Sequence, residues 1–230
     1  MAFGTLYTRP FNPRSTAILA VAKAASLPLD LVTITSSDEA PDSYLALNPL
    51  GKIPTFVSAN GFVLSECIAI AVHITAQSPL TTPLLAGPPG SEPHASVLRW
   101  MSFANTEILL SLGGWFNPLI GRRPFVQEEV DAHRAATLHK FQIIEDHLGH
   151  TGQEYLVGKE LTLADLFVAG IAAGAFMFFL DGEWRGAHQR CTEWFERVAG
   201  GEMMVAVGGK PVLVEKAMAS VPPGERKGGQ

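Results

Sequence analysis

The feature that most constrains this chain is a change of hydrophobic period across a proline-rich segment. Before residue 78, short β-favouring runs alternate with helical ones. After residue 93, apolar residues recur at spacings of three and four. Between them stand Ser78-Pro79, Thr82-Pro83 and Gly87-Pro88-Pro89-Gly90-Ser91-Glu92-Pro93. Proline at that density continues neither a helix nor a central strand. The pattern predicts an α/β unit over residues 1–77, a linker over 78–93, an all-helical unit over 94–221 and a mobile tail over 222–230.

Within the first unit the order reads β-α-β-α-β-β-α. Thr5 to Thr8 is a β-favouring run, and Ser15-Thr16 reads as the cap of an Ala-rich helix that stops at Ser26-Leu27-Pro28. Leu29 to Thr35 alternates as a half-buried strand, and Ser43 to Leu47 makes a single helical turn. Asn60-Gly61 joins Thr55-Phe56-Val57 to Phe62-Val63-Leu64 as a tight hairpin. A helix then spans Cys67 to Ala76. In the second unit Leu98, Met101, Ala104, Ile108 and Leu112 mark one helix, and Val126 to Leu148 another. Thr162-Leu163-Ala164-Asp165 has capping-box spacing ahead of an Ala/Phe-rich helix, which makes Asp165 a structural cap. A further helix covers His188 to Val198.

Composition narrows the function. A hydrophobic share of 47% against 17% charged supports a packed core, and a net charge of −5 gives no bulk attraction to nucleic acid or anionic lipid. Two cysteines, Cys67 and Cys191, stand far apart, which excludes a disulfide scaffold and a dithiol redox centre. Leu166 to Leu180 is too short an apolar run to cross a membrane. The first residues lack the basic and apolar regions of a signal peptide, so a cytoplasmic location is expected. Histidines 133, 139, 147 and 150 fall on or near one charged helix without a closed ligand set; no metal site is expected.

Three stretches of the first unit carry chemistry. Tyr7-Thr8-Arg9-Pro10-Phe11-Asn12-Pro13-Arg14 leaves a strand and enters a helix, whose free N–H groups and dipole favour an anion. Tyr7, Thr8, Asn12 and Arg14 are donors beside that point. In Asn48-Pro49-Leu50-Gly51-Lys52-Ile53-Pro54, the proline keeps Ile53 out of the α region. Ile53 then presents its N–H and C=O like an unpaired strand edge, to which an extended peptide can pair. A cis Ile53–Pro54 bond is one option there, although such bonds are a small minority. In Ser65-Glu66-Cys67-Ile68-Ala69-Ile70, a second helix start offers bare N–H groups to a carboxylate, and Glu66 suits an ammonium. Together the last two features fit the zwitterionic head of an amino acid. Each stretch taken alone also reads as an ordinary loop or cap.

Combined, they resemble the glutathione transferases, which join a thioredoxin-like α/β domain to an all-α helical bundle. Leu6-Tyr7-Thr8 through Asn12-Pro13-Arg14, Asn48 through Pro54, Glu66-Cys67-Ile68-Ala69-Ile70 and Thr162-Leu163-Ala164-Asp165-Leu166 carry the resemblance over nearly the whole chain. A narrower similarity is to the transferase-like part of the gamma subunit of fungal translation elongation factor one. Leu98 to Phe103, Leu112-Gly113-Gly114-Trp115-Phe116 and Phe178 to Arg185 carry it. That subunit has a further domain that this sequence lacks, which implies a free-standing relative of the kind found in fungal secondary metabolism.

The resemblance implies glutathione as co-substrate, its γ-glutamyl head at Glu66 and Cys67, and its cysteinyl backbone against Ile53 before Pro54. Lys52 would reach the glycyl carboxylate. The family usually has Ser where this chain has Cys67. A thiol is the weaker donor, so the Cys67 backbone N–H carries more of the hold. A free thiol is only about 3% thiolate at pH 7. Raising that to about 75% needs roughly 2.7 kcal/mol of preferential stabilisation, within reach of one or two charge-assisted hydrogen bonds. Asn12 matches the family's Ser/Cys position and is the first choice of stabiliser. Arg14 would add a longer-range charge, and Tyr7 is the second choice of donor. The electrophile, a small apolar one, is expected between the domains, with Phe11, Trp100, Phe103, Trp115, Phe116 and Phe178 as lining residues. Thiolate addition gives conjugation if glutathione is retained, or cis–trans isomerisation if it is expelled. The rival readings are a non-catalytic interaction module and a glutathione-dependent peroxidase. A homodimer formed through the first domain and the helices after the linker is implied as well.

Overall fold

The structure is a computed structural model that describes residues 2–35 and 40–225. Its first half is a four-stranded mixed sheet in the order β2-β1-β3-β4. Strand β1 (Gly4–Thr8) runs parallel to β2 (Leu29–Thr33) and antiparallel to β3 (Thr55–Ser58), which pairs antiparallel with β4 (Val63–Ser65). Gly61, at a φ of 86°, occupies the left-handed region in the β3–β4 turn, where the Asn-Gly pair is expected to serve. Leu6 and Phe56 face each other across β1 and β3, both fully buried. They form the floor on which α1 (Pro13–Ala24) and α3 (Cys67–Thr75) pack, while α2 (Asp42–Leu45) is a single turn.

The second half is helical: α4 (Glu92–Phe103), a π-helical turn (Ala104–Ile108), α5 (Leu109–Leu119), α6 (Gln127–Thr151), α7 (Leu163–Phe178), α8 (Gly182–Ala187), α9 (Gln189–Ala199) and α10 (Glu202–Gly208). Helix α7 is buried on almost every face, which explains its lack of a polar stripe. It packs on α1, where the absent side chain of Gly170 permits close approach: a Cβ there would lie 3.1 Å from that of Thr16. The two halves thus share a continuous apolar contact.

Several boundaries differ from the sequence reading. Asn12, not Ser15, caps α1, because Pro13 fits the first turn of a helix and its missing N–H costs nothing there. At α3 the N-cap position is Glu66. The segment 78–93 holds a 3₁₀ turn (Thr82–Leu85) with Leu84 and Leu85 buried, and α4 starts at Glu92 under the Ser91 cap. The helix expected through Leu98 and Leu112 is broken by the π-helical turn. Helices α8 and α10 are too short to show a period. Pro223–Glu225 form a 3₁₀ turn, and residues 226–230 of the expected tail lie outside the described residues. Among the described residues, no helix is long and apolar enough to cross a membrane.

Candidate active site

Strand register assembles the site. Tyr7 pairs with Thr55, and Thr55 pairs with Ser65, so one transverse row crosses three strands near the same edge of the sheet. The chain leaves or enters that row through the Thr8–Asn12 loop, through Ile53–Pro54 and through Glu66–Cys67. Three stretches distant in sequence therefore open on one edge.

The middle element is held rigidly. Tyr44, buried under the loop, donates its hydroxyl proton to the Lys52 carbonyl at 2.5 Å and lies 2.9 Å from the Thr55 hydroxyl. The Asn48 amide donates to the same carbonyl at 2.9 Å and to the Thr55 hydroxyl at 3.0 Å. The Ile53–Pro54 bond is cis. Among the described residues, no group hydrogen-bonds the Ile53 N–H or C=O, so the unpaired strand edge is present. Lys52 is exposed beside it.

At the start of α1 the expected anion site is filled by the chain's own side chains. The Asn12 Oδ1 accepts from the Arg14 N–H at 3.2 Å, and its Nδ2 donates to the hydroxyls of Thr8 at 3.3 Å and Ser15 at 3.1 Å. Those hydroxyls lie 2.6 Å apart, and all three side chains are buried. Asn12 is therefore not the free donor expected: both sides of its amide are engaged in capping. Tyr7 is half-buried with its ring 5.1 Å from that of Tyr44, and no described group hydrogen-bonds its hydroxyl.

The start of α3 is the opposite case. Glu66 stands at a φ of 69°, costly for a residue with a Cβ, and its exposed side chain makes no capping bond. The first N–H groups of α3 are thereby left open. Cys67 is buried, and burial pushes its thiol above the ordinary value; the Arg14 charge opposes that shift and the Glu66 charge adds to it. The thiol stays protonated at neutral pH. Arg14 points here, across the domain boundary: its Nε donates to Asn105 Oδ1 at 2.7 Å, and the Cys67 thiol lies 3.6 Å from that oxygen. Sequence reasoning missed Asn105, because a lone asparagine inside an apolar helical pattern gives no signal of an interdomain contact. Glu66, His73 and Asn105 also line an open groove of about 660 Å³, otherwise walled by apolar residues such as Phe62, Leu64, Val72 and Leu98.

The aromatic residues do not gather in one cleft. Phe11 is 98% exposed, at a φ of 57°, on the loop into α1. Trp100 is 1% exposed, with its ring against Phe103 and His147. Trp115 stacks on Phe179 at 3.8 Å and donates its Nε1 hydrogen to the Ser220 hydroxyl, while Phe116 stacks on Phe178. Trp100 and Trp115, expected to line the electrophile site between the domains, are buried in the core of the second half. Asp165 completes the capping box as expected, accepting also from the Leu156 N–H and the Trp194 Nε1 hydrogen.

Comparison with known proteins yields matches along the whole length. Residues 2–76 match the glutathione S-transferase N-terminal domain, and residues 127–197 match the C-terminal domain. Glutathione S-transferase stcT of Emericella nidulans is 56% identical over 223 residues, covering 97% of this chain and 100% of that protein. Among solved structures, the GST-like domain of elongation factor 1-gamma from Saccharomyces cerevisiae has a TM-score of 0.76 at 28% identity, covering 94% of this chain and 100% of that one. Glutathione transferase URE2P6 from Phanerochaete chrysosporium, solved with oxidized glutathione, shares the fold, with a TM-score of 0.81, 20% identity and coverage of 90% and 94%.

Proposed function

The chain belongs to the glutathione S-transferase family, as an enzyme whose co-substrate is glutathione, and from that premise we propose that it adds the glutathione thiol to a small apolar electrophile. The observation that carries this reading is the pairing of an unoccupied backbone edge at Ile53 with an open helix start at Glu66–Cys67, on one end of the sheet. A tripeptide spanning both would pair its cysteinyl backbone with Ile53 beside Pro54 and set its amino-acid head on α3. Lys52 would meet its glycyl carboxylate.

The sulfur then lies towards β1 and the start of α1. There Tyr7 keeps a hydroxyl free to donate to a thiolate, and the α1 dipole favours the anion. Asn12 acts through the loop that it holds. The exposed Phe11 offers the electrophile an apolar surface at that end. A second copy of the chain would cover the apolar groove between β4, α3 and α4, giving a homodimer.

Titration calorimetry with glutathione, followed by mass spectrometry of turnover with a conjugated enone, tests the reading. Binding and a product heavier by one glutathione are expected. Turnover with no gain in mass would establish isomerisation instead. The second reading, resting on the similarity to the elongation-factor domain, is a non-catalytic interaction module, and absence of glutathione binding would bring it forward. Tyr7→Phe is expected to raise the pH at which kcat/KM rises; a shift in Asn12→Ala alone would return the sulfur to Asn12.

A further inference from the structure

Asn105 lies in the π-helical turn between α4 and α5. Such turns are rare inside α-helices, are frequent at functional sites, and shift which way the following side chains face. Here the re-aimed side chain bonds across the domain boundary: Asn105 Oδ1 accepts from the Arg14 Nε at 2.7 Å and faces the Cys67 thiol at 3.6 Å. One oxygen thus ties the first turn of α1 to the first turn of α3.

We infer that Asn105 is a positioning residue that holds Arg14 against the Glu66–Cys67 helix start, so that the Arg14 guanidinium clasps the α-carboxylate of the γ-glutamyl head. The inference rests on reading this edge as the glutathione site. With Nε engaged, the two terminal nitrogens of Arg14 have no partner among the described residues, and a guanidinium fork matches a carboxylate in two-point geometry. Cys67 is a poor substitute for a hydroxyl donor, and its hydrogen is directed to Asn105. Glu66, exposed next to them, remains for the ammonium of the same head. Arg14 and Asn105 therefore supply the hold that a side-chain hydroxyl at position 67 would otherwise give. An unrestrained arginine would lose rotamer freedom on binding; Asn105 removes that cost beforehand.

A ligand lacking only the α-carboxylate provides the test. Calorimetry compares glutathione with 4-aminobutyryl-cysteinylglycine, which keeps the amine, the thiol and the glycine. The unaltered protein is expected to prefer glutathione by about tenfold to a hundredfold, the value of a charge-assisted hydrogen bond. Arg14→Ala and the milder Arg14→Gln should lower that preference by about fivefold or more, keeping only the share that the open N–H groups of α3 supply. Asn105→Ala should keep only part of the preference, and adding Cys67→Ser to it should restore some. A merely structural role would weaken both ligands alike and leave the preference intact. Full preference in both Arg14 variants, beside normal binding to the unaltered protein, overturns the inference alone. No glutathione binding by the unaltered protein overturns it together with the reading on which it rests.

Discussion

Helices α1 and α3 begin on the same edge of one sheet, and in sequence both look like places for an anion. Only α3 is left open. At α1, Asn12, Thr8 and Ser15 bond one another and the Arg14 N–H. At α3, the cap residue Glu66 makes no capping bond and sits in a left-handed backbone conformation. A helix start becomes a binding site when the chain declines to cap it, and here that choice coincides with backbone strain. The closed start carries stability; the open one carries binding.

The largest expected effect comes from breaking the closed start. Asn12→Ala removes a cap and leaves two buried hydroxyls short of a partner, a loss of about 2–4 kcal/mol. Thermal unfolding should show Tm lower by roughly 5–12 °C for a chain of this size, with glutathione affinity changed less than about threefold. A tenfold loss of affinity at unaltered Tm would instead make Asn12 part of the binding site. Next in size is Glu66→Gln, which removes the charge expected to face the ligand's ammonium. Affinity for glutathione should fall by about tenfold to a hundredfold, without loss of Tm. Glu66→Gly should bind as poorly but unfold higher, because glycine relieves the strain at this φ by about 1 kcal/mol.

The same comparison explains what was legible in the sequence. The succession of elements in the first half, the Asn-Gly hairpin and the capping box of α7 depend on neighbours in the chain, and composition and period show them. The three site stretches were found because each pairs a helix start or a proline with polar residues. Whether a start is open or closed depends on hydroxyls brought in from another turn or strand, as Thr8 is to Asn12, and sequence spacing does not record that. Asn105 and Arg14 meet across 91 positions through a helical irregularity that the spacing of Leu98, Met101 and Ile108 conceals. Trp100 and Trp115 lie in the core for the converse reason. Large aromatic side chains at helical spacing are first of all core, and these two are buried against His147 and Phe179.

A smaller effect sharpens the contrast at the open start. Cys67 is buried and its thiol is held protonated, so Cys67→Ser exchanges a weak donor for a strong one with little change of volume. Glutathione affinity should rise by about threefold to tenfold. An unaltered affinity would mean that the side chain at 67 does not face the ligand. In the unaltered protein, alkylation of Cys67 by iodoacetamide should be slow at pH 7, since the thiolate is the reactive species.

The smallest effect concerns a third helix start, closed like that of α1. Asp165 caps α7 and accepts from the Leu156 N–H at 2.8 Å, while the Leu156 carbonyl accepts from His147 Nε2 at 3.0 Å. Burial lowers the pKa of His147 from its ordinary 6.5, so the folded protein resists a proton that the unfolded chain accepts. Between those two values the unfolded state binds more protons. The contribution of His147 to stability is therefore complete above about pH 6.5 and is lost as the pH falls through the folded-state value. His147→Gln keeps a donor for the Leu156 carbonyl but cannot titrate. Its Tm should decline less between pH 7 and pH 5 than that of the unaltered protein. Equal slopes in the protein and its His147→Gln variant would assign the acid sensitivity to other groups and leave the closed start of α7 insensitive to pH.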